Sequence, residues 1–235
     1  MPLNSIRDKM MPKEGTLPND KNALAKLSSW QKAGCPLPGP EAHAHFMPFG
    51  RTSAEKARSG GRVGLDFKEA AVLMGIESDG RVVLIERAPS DGVHSGQMAL
   101  PGGAREAGER LVECALREWR EELGLSPTHS PNTDPVSLTE VHVAPSGFIV
   151  RPYLAHVELS EALQFDRTEV AAIHRIRLAD LLDEGYSRTQ KVRVGGNKGV
   201  VLSAPGLSLP GVPFIWGATA MMLGELRAIL VSAEG

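Results

Sequence analysis

Glu118, Glu121 and Glu122 fall at i, i+3 and i+4. On a helix that spacing projects all three carboxylates from one side. Three like charges so close repel one another and lower helix stability. A cation shared between them offsets the repulsion, and a hard divalent ion held by oxygen ligands is the simplest such cation. An ion held this way polarises phosphoryl oxygens, so the chemistry these residues point to is metal-assisted attack on a phosphate.

The carboxylates need a helix to carry them, and the stretch from Gly103 to Leu125, GAREAGERLVECALREWREELGL, reads as one. At about 100° per residue, Glu121 and Glu122 lie within roughly 60° of Glu118. Val112, Leu116, Trp119 and Leu123 gather roughly 100–160° away. One stripe is therefore apolar and faces the core, and the acidic stripe is expected to face outward. Gly124 supplies a left-handed stop for the helix. Pro101-Gly102-Gly103 supplies a tight lead-in where backbone approaches a ligand closely. Arg117 and Glu109 are expected to pair and tie the loop to the helix.

The full pattern is Gly103, Glu109, Arg117-Glu118, Glu121-Glu122 and Gly124-Leu125 at fixed spacing. It resembles the signature of the Nudix hydrolase family, with every charged and glycine position matched. The flanks extend the likeness. Val83 to Ala88, then Val93-His94-Ser95-Gly96-Gln97-Met98-Ala99-Leu100-Pro101-Gly102-Gly103, is similar to the additional motif of the coenzyme A pyrophosphatase branch. Leu100 replaces that branch's usual Phe, and Gly92 stands where it usually has a basic residue. Val143 to Phe148 and Phe214 to Ala220 also resemble the branch, so the likeness runs from about residue 35 to residue 230.

That resemblance implies a fold, an ion and a reaction. The fold is an α/β (α+β) class Nudix-type α/β/α sandwich with a mixed sheet, over residues 66–235, behind an N-terminal extension at 1–65. The cofactor is Mg²⁺ or Mn²⁺. The reaction is hydrolysis of the pyrophosphate of coenzyme A or a derivative, giving adenosine 3',5'-bisphosphate and 4'-phosphopantetheine. Glu118 and Glu122 are the first ligands, and the Gly103 carbonyl completes the shell. Glu121 is a third ligand or the general base. Glu169, from a neighbouring loop, is a base or an extra ligand; many family members carry a second Glu three residues later, where this chain has Ala172. Arg87, His94 and Gln97 are the substrate-binding residues, an Arg fork being suited to phosphate oxygens. Two alternatives stay open: a Nudix pyrophosphatase acting on ADP-ribose or another nucleoside diphosphate derivative, and a non-catalytic nucleotide-sensing module.

The whole chain bounds these readings. It has 235 residues, a net charge of −2, 42% hydrophobic and 23% charged residues. That is the composition of an ordinary globular protein, long enough for a real core. The near-neutral balance gives no electrostatic case for nucleic acid as a partner. No apolar run approaches the roughly 20 residues of a membrane span, so no membrane association is expected. The N-terminus lacks a hydrophobic leader pattern, and the expected location is the cytoplasm. Cys35 and Cys114 imply no disulfide framework, and Cys114 reads as a small packing residue. A homodimer is compatible with the sequence and is left open.

Along the chain, Ala23 to Lys32 reads as a short amphipathic helix, and His43 and His45 sit in a loop-like stretch beyond a Pro-rich break. Ala70–Ile76 and Val82–Ile85 read as strands joined by a turn at Asp79-Gly80. Strands are also expected at Leu138–Val143, Ile149–Val157 and Val170–Ile176, with a short helix at Ala179–Leu182. Val192–Val194 and Val200–Leu202 flank a hairpin turn at Gly195-Gly196-Asn197. Trp216 is expected in the core, and Ala218–Leu230 as a final amphipathic helix.

Overall fold

The computed structural model describes residues 20–34, 36–48, 67–90, 94–124, 134–143, 146–159, 164–194 and 199–232. The expected features at Gly92 and Gly195-Gly196-Asn197 lie outside these residues.

The central sheet is mixed. Strand β1 (Lys68–Glu77) runs parallel to β7 (Phe148–Val157) over its whole length. Its other edge pairs antiparallel with β2 (Arg81–Arg87) at one end and with β4 (Gly102–Ala104) at the other. β2 also pairs with β3 (Met98–Ala99) and β8 (Val170–Arg177), and β7 with β5 (Val136–Ser137) and β6 (Val141–Val143). A separate antiparallel sheet holds β9 (Ser187–Val194), β10 (Val200–Leu207) and β11 (Ile215–Trp216). The flanking strands of the expected hairpin are longer than their apolar ends suggest: β9 extends back through the polar, mostly exposed Ser187–Lys191, and β10 extends on through the mostly buried Ala204–Leu207.

Strand alternation divides the core in two. Ala71, Leu73, Val83, Ile85 and Tyr153 face α3 (Leu111–Leu123). Ala70, Met74, Leu84 and Leu154 face the opposite side. That side is covered by α5 (Gly217–Ser232), with α1 (Asp20–Ala33), α2 (Pro40–Ala44) and α4 (Leu178–Leu182) around it. The result is the expected α/β/α sandwich with a mixed sheet.

Two helices differ from expectation. α5 is buried nearly all round, from Thr219 to Leu230, rather than amphipathic. A helix apolar on every side must be covered on every side, and α1, α2 and α4 supply the cover. The segment carrying His43 is helical, and His43 is buried. Phe46, just after α2, packs against α5 so closely that a Cβ on Gly224 would lie 2.8 Å from its ring. Within the expected N-terminal extension, Ala23, Leu27, Trp30 and Phe46 join the same core as α5. Among the described residues, no helix is long and apolar enough to cross a membrane.

Candidate functional site

Helix α3 begins with local chemistry. Its Glu113 accepts from the Arg110 backbone N–H at 2.9 Å, half of a capping box. It stops at Gly124, which is left-handed at φ 70° and sends its N–H to the Arg120 carbonyl at 2.9 Å. Trp119 anchors the helix to the sheet. It is fully buried over Gly75, where any Cβ would meet the indole at 2.5 Å. Sequence spacing could not show that contact, because Gly75 lies on a strand far away in the chain.

Arg117 organises the outer side of the helix. Its Nε donates to Glu109 at 2.9 Å, the expected pair. Its Nη1 donates to both Glu118 and Glu121 at 2.9 Å, and its Nη2 reaches the Ala104 carbonyl at 3.2 Å. The loop 104–109 is therefore tied to the carboxylate helix through one guanidinium. Cys114 is buried beneath it, with its thiol pushed up to about 11 by burial, as suits a packing residue.

The three carboxylates do not share one environment. Glu121 is 58% exposed and points along the surface. Glu118 is half-buried, and its carboxyl lies directly over Gly103, where a Cβ would collide with it. Glu122 is only 1% exposed. The expected outward acidic stripe is thus wrong for Glu122. A helical wheel treats α3 as isolated, but the 101–104 turn closes over that side. The turn can come so close because Gly102, at φ 153°, has no Cβ to strike the Ala71 carbonyl. Its N–H then donates to Glu122 at 2.9 Å.

This is a strained electrostatic arrangement. Burial pushes the Glu122 carboxyl up to about 7, against the opposing effects of the Gly102 N–H and Arg87; repulsion from Glu118 and Glu169 adds to the rise. Glu118 is also raised, by burial first, with Glu121 and Glu169 adding repulsion and Arg117 opposing. Glu118 and Glu169 thus bear electrostatically on Glu122, while Glu121 and Glu169 bear on Glu118. Among the described residues, no three His, Cys, Asp or Glu side chains are gathered tightly enough to cage an ion as they stand. The donors nonetheless fit a hard divalent cation. All are oxygens, and at Glu122 burial and like charges outweigh the local compensation.

A cleft of about 260 Å³ opens on the α5 side of the sheet beside this turn. Polar Arg87, His94 and Gln97, the backbone of Gly102 and Gly103, and apolar Val143, Phe148, Val150, Trp216 and Met222 line it. Trp216 is half-buried at this wall rather than in the core. None of the carboxylates lines the cleft. The two parts meet at Gly102-Gly103, a wall one backbone thick, and at Arg87, whose Nη1 lies 3.7 Å from Glu122. His94 Nδ1 and the Gln97 side chain are 3.1 Å apart, and the Gln97 carbonyl accepts from the Arg87 N–H at 3.0 Å. Hydrogen bonding thus links these three residues. Leu100 is buried and fills its position as an apolar residue. The Val143, Met222 and Thr219 contributions were not foreseen, since they come from distant segments. Thr219 donates to the Met98 carbonyl at 2.9 Å and fastens α5 to the cleft edge.

A mixed-sheet sandwich bearing an acidic helix behind a Gly-Gly turn defines a class, and the comparisons agree. The family model described as NUDIX domain matches residues 67–193, more than half of the chain. The chain belongs to the Nudix hydrolase family. It is 30% identical over 168 residues to a protein of Cronobacter sakazakii described as "Uncharacterized Nudix hydrolase NudL", covering 70% of this chain and 84% of that one. A protein of the same description from Klebsiella pneumoniae is 29% identical over the same coverage. Among solved structures, a MutT protein from Methanosarcina mazei aligns with TM-score 0.48 and 14% identity, covering 73% of this chain and all of that one.

Proposed function

We propose that this Nudix hydrolase cleaves the pyrophosphate bond of coenzyme A or a coenzyme A derivative, using Mg²⁺ or Mn²⁺. The products would be adenosine 3',5'-bisphosphate and 4'-phosphopantetheine. One observation carries the reading: the buried carboxylates and the half-apolar cleft adjoin at Gly102-Gly103 and Arg87. A substrate with a pyrophosphate beside a bulky, partly apolar group matches those two surroundings.

In this reading Glu118, Glu122 and the Gly103 carbonyl hold the ion. When bound, the ion neutralises charge on the pyrophosphate and polarises the attacking water. Arg87, one-third exposed and already beside Glu122, donates to phosphate oxygens in the cleft. His94 and Gln97 brace each other and keep that loop in place. Glu169 is the base that takes the proton of the attacking water, since its charge reaches both Glu118 and Glu122 from an exposed turn. Glu121, exposed and paired with Arg117, supports the site through that guanidinium.

The test is a panel of coenzyme A, ADP-ribose, a dinucleotide and a nucleoside triphosphate, each with Mg²⁺ and with Mn²⁺. Coenzyme A is expected to have the highest kcat/KM. A clear preference for ADP-ribose would replace this substrate assignment, and binding without product release would replace the enzyme by a sensor.

A further inference from the structure

The floor of the cleft has a cation at its outer rim that no part of the proposed chemistry uses. Ala70 and Val72 of β1 line the cleft, as do Phe148 and Val150 of the parallel neighbour β7. Lys68 is the next residue of β1 on that same face. It is exposed, its N–H donates to the Gly147 carbonyl at 3.2 Å, and its ammonium sits 5.8 Å from the centre of the Phe148 ring. The adjacent carboxylate, Glu69, is taken by Arg105 at 2.7 Å. No ion pair joins Lys68 to a described carboxylate. The ring orients the ammonium without neutralising it, so the charge stays available to an anion.

Its position along the strand gives a spacing. Gly103 pairs with Ala71, and Lys68 lies three residues further out. That separates it from the carboxylate turn by about 10 Å of strand. Between the two, Ala70, Phe148 and Val150 line the cleft. A ligand spanning this floor meets phosphate-binding groups at the inner end, an aromatic and aliphatic stretch in the middle, and one positive charge at the rim.

We propose that Lys68 recognises a second anionic group on the substrate, a phosphate carried by the ribose of the nucleotide. This rests on the pyrophosphatase reading and assigns a residue to the ribose phosphate that separates coenzyme A from ADP-ribose. Lys68 is a specificity-determining residue here and takes no part in bond cleavage.

The test pairs ligands that differ only in that phosphate. Wild-type protein and K68M, which keeps the apolar stem and removes the charge, are titrated with AMP, adenosine 3',5'-bisphosphate and adenosine 2',5'-bisphosphate. Wild type is expected to bind at least one bisphosphate about tenfold tighter than AMP, a typical gain for one charge-assisted contact. K68M should lose that margin, and K68R should keep it. Rising ionic strength should shrink the wild-type margin. In turnover with Mg²⁺, the ratio of kcat/KM for coenzyme A over dephospho-coenzyme A should collapse in K68M through KM. Equal affinity of wild type for AMP and both bisphosphates, or a margin that survives in K68M, overturns the proposal. If wild type cleaves neither coenzyme, the pyrophosphatase reading fails, and the titration still decides the role of Lys68.

Discussion

Among the described residues, two glutamates are almost wholly buried, one on each side of the central sheet. Glu225, on α5, is 0% exposed. It accepts from the Thr139 N–H at 3.1 Å and from the Thr139 hydroxyl, and His43 Nε2 lies 3.4 Å away. Glu122, on α3, is 1% exposed. It has one backbone donor at 2.9 Å, Arg87 at 3.7 Å, and two carboxylates that repel it. The first is satisfied by Thr139, which ties α5 to the turn before β6, with His43 of α2 beside it. The second is under-compensated. A buried carboxylate satisfied by its neighbours holds a fold together, whereas one facing like charges stands ready for a cation.

The same substitution at both sites separates these roles. Glu122→Gln removes one charge at nearly constant volume. It is expected to lower kcat about a hundredfold or more, the scale of several kcal/mol of lost metal-assisted stabilisation. Thermal melting of the metal-free variant should be no lower than that of the wild type. Near-normal coenzyme A cleavage by this variant would remove the metal-site reading. Glu225→Gln exchanges an acceptor for a donor among groups that need acceptors. It is expected to cost about 2 kcal/mol of stability by chemical denaturation. A stabilised Glu225→Gln protein would erase the contrast.

Titration sharpens the contrast further. The Glu122 carboxyl is raised to about 7 in the folded protein, against 4.5 ordinarily. The folded state therefore binds its proton more tightly than the unfolded chain does. The stabilisation this gives is complete below pH 4.5 and is lost as pH rises through about 7. Metal-free protein should melt at lower temperature at pH 8 than at pH 6, and Glu122→Gln should flatten that difference. Metal affinity should fall as pH drops below 7, because the ion competes with the proton. The smallest effect is expected at Glu121, which is 58% exposed and bound to Arg117. Glu121→Gln should lower kcat less than tenfold, since an exposed ion pair contributes little. A loss of a hundredfold or more would move the base from Glu169 to Glu121.

The acidic half of this site was legible because it is local. Glu118, Glu122, Gly103, Arg117 and Glu109 lie within about one helix and its lead-in turn, so spacing alone places them together. The burial of Glu122 was not legible, because it depends on the 101–104 turn folding back through β4 pairing with β1. The apolar half of the cleft escaped for the same reason on a larger scale. Phe148, Trp216 and Met222 come from three separate elements, and only the packing of α5 onto the sheet unites them. His43 looked like part of a loop after a Pro-rich break. Its partner, Glu225, lies near the other end of the chain. The overall sandwich was readable from alternating strands and the α3 periodicity, while the all-round burial of α5 required knowing which helices cover it.

The central claim is that the carboxylate turn and the cleft together cut the pyrophosphate of a coenzyme A molecule. The most direct test incubates the protein with coenzyme A and Mg²⁺ in ¹⁸O-labelled water and identifies the products by mass. The expected products are adenosine 3',5'-bisphosphate and 4'-phosphopantetheine, with the label in one of the two newly exposed phosphates. Intact coenzyme A, or release of inorganic phosphate with the pyrophosphate bridge uncut, would contradict it.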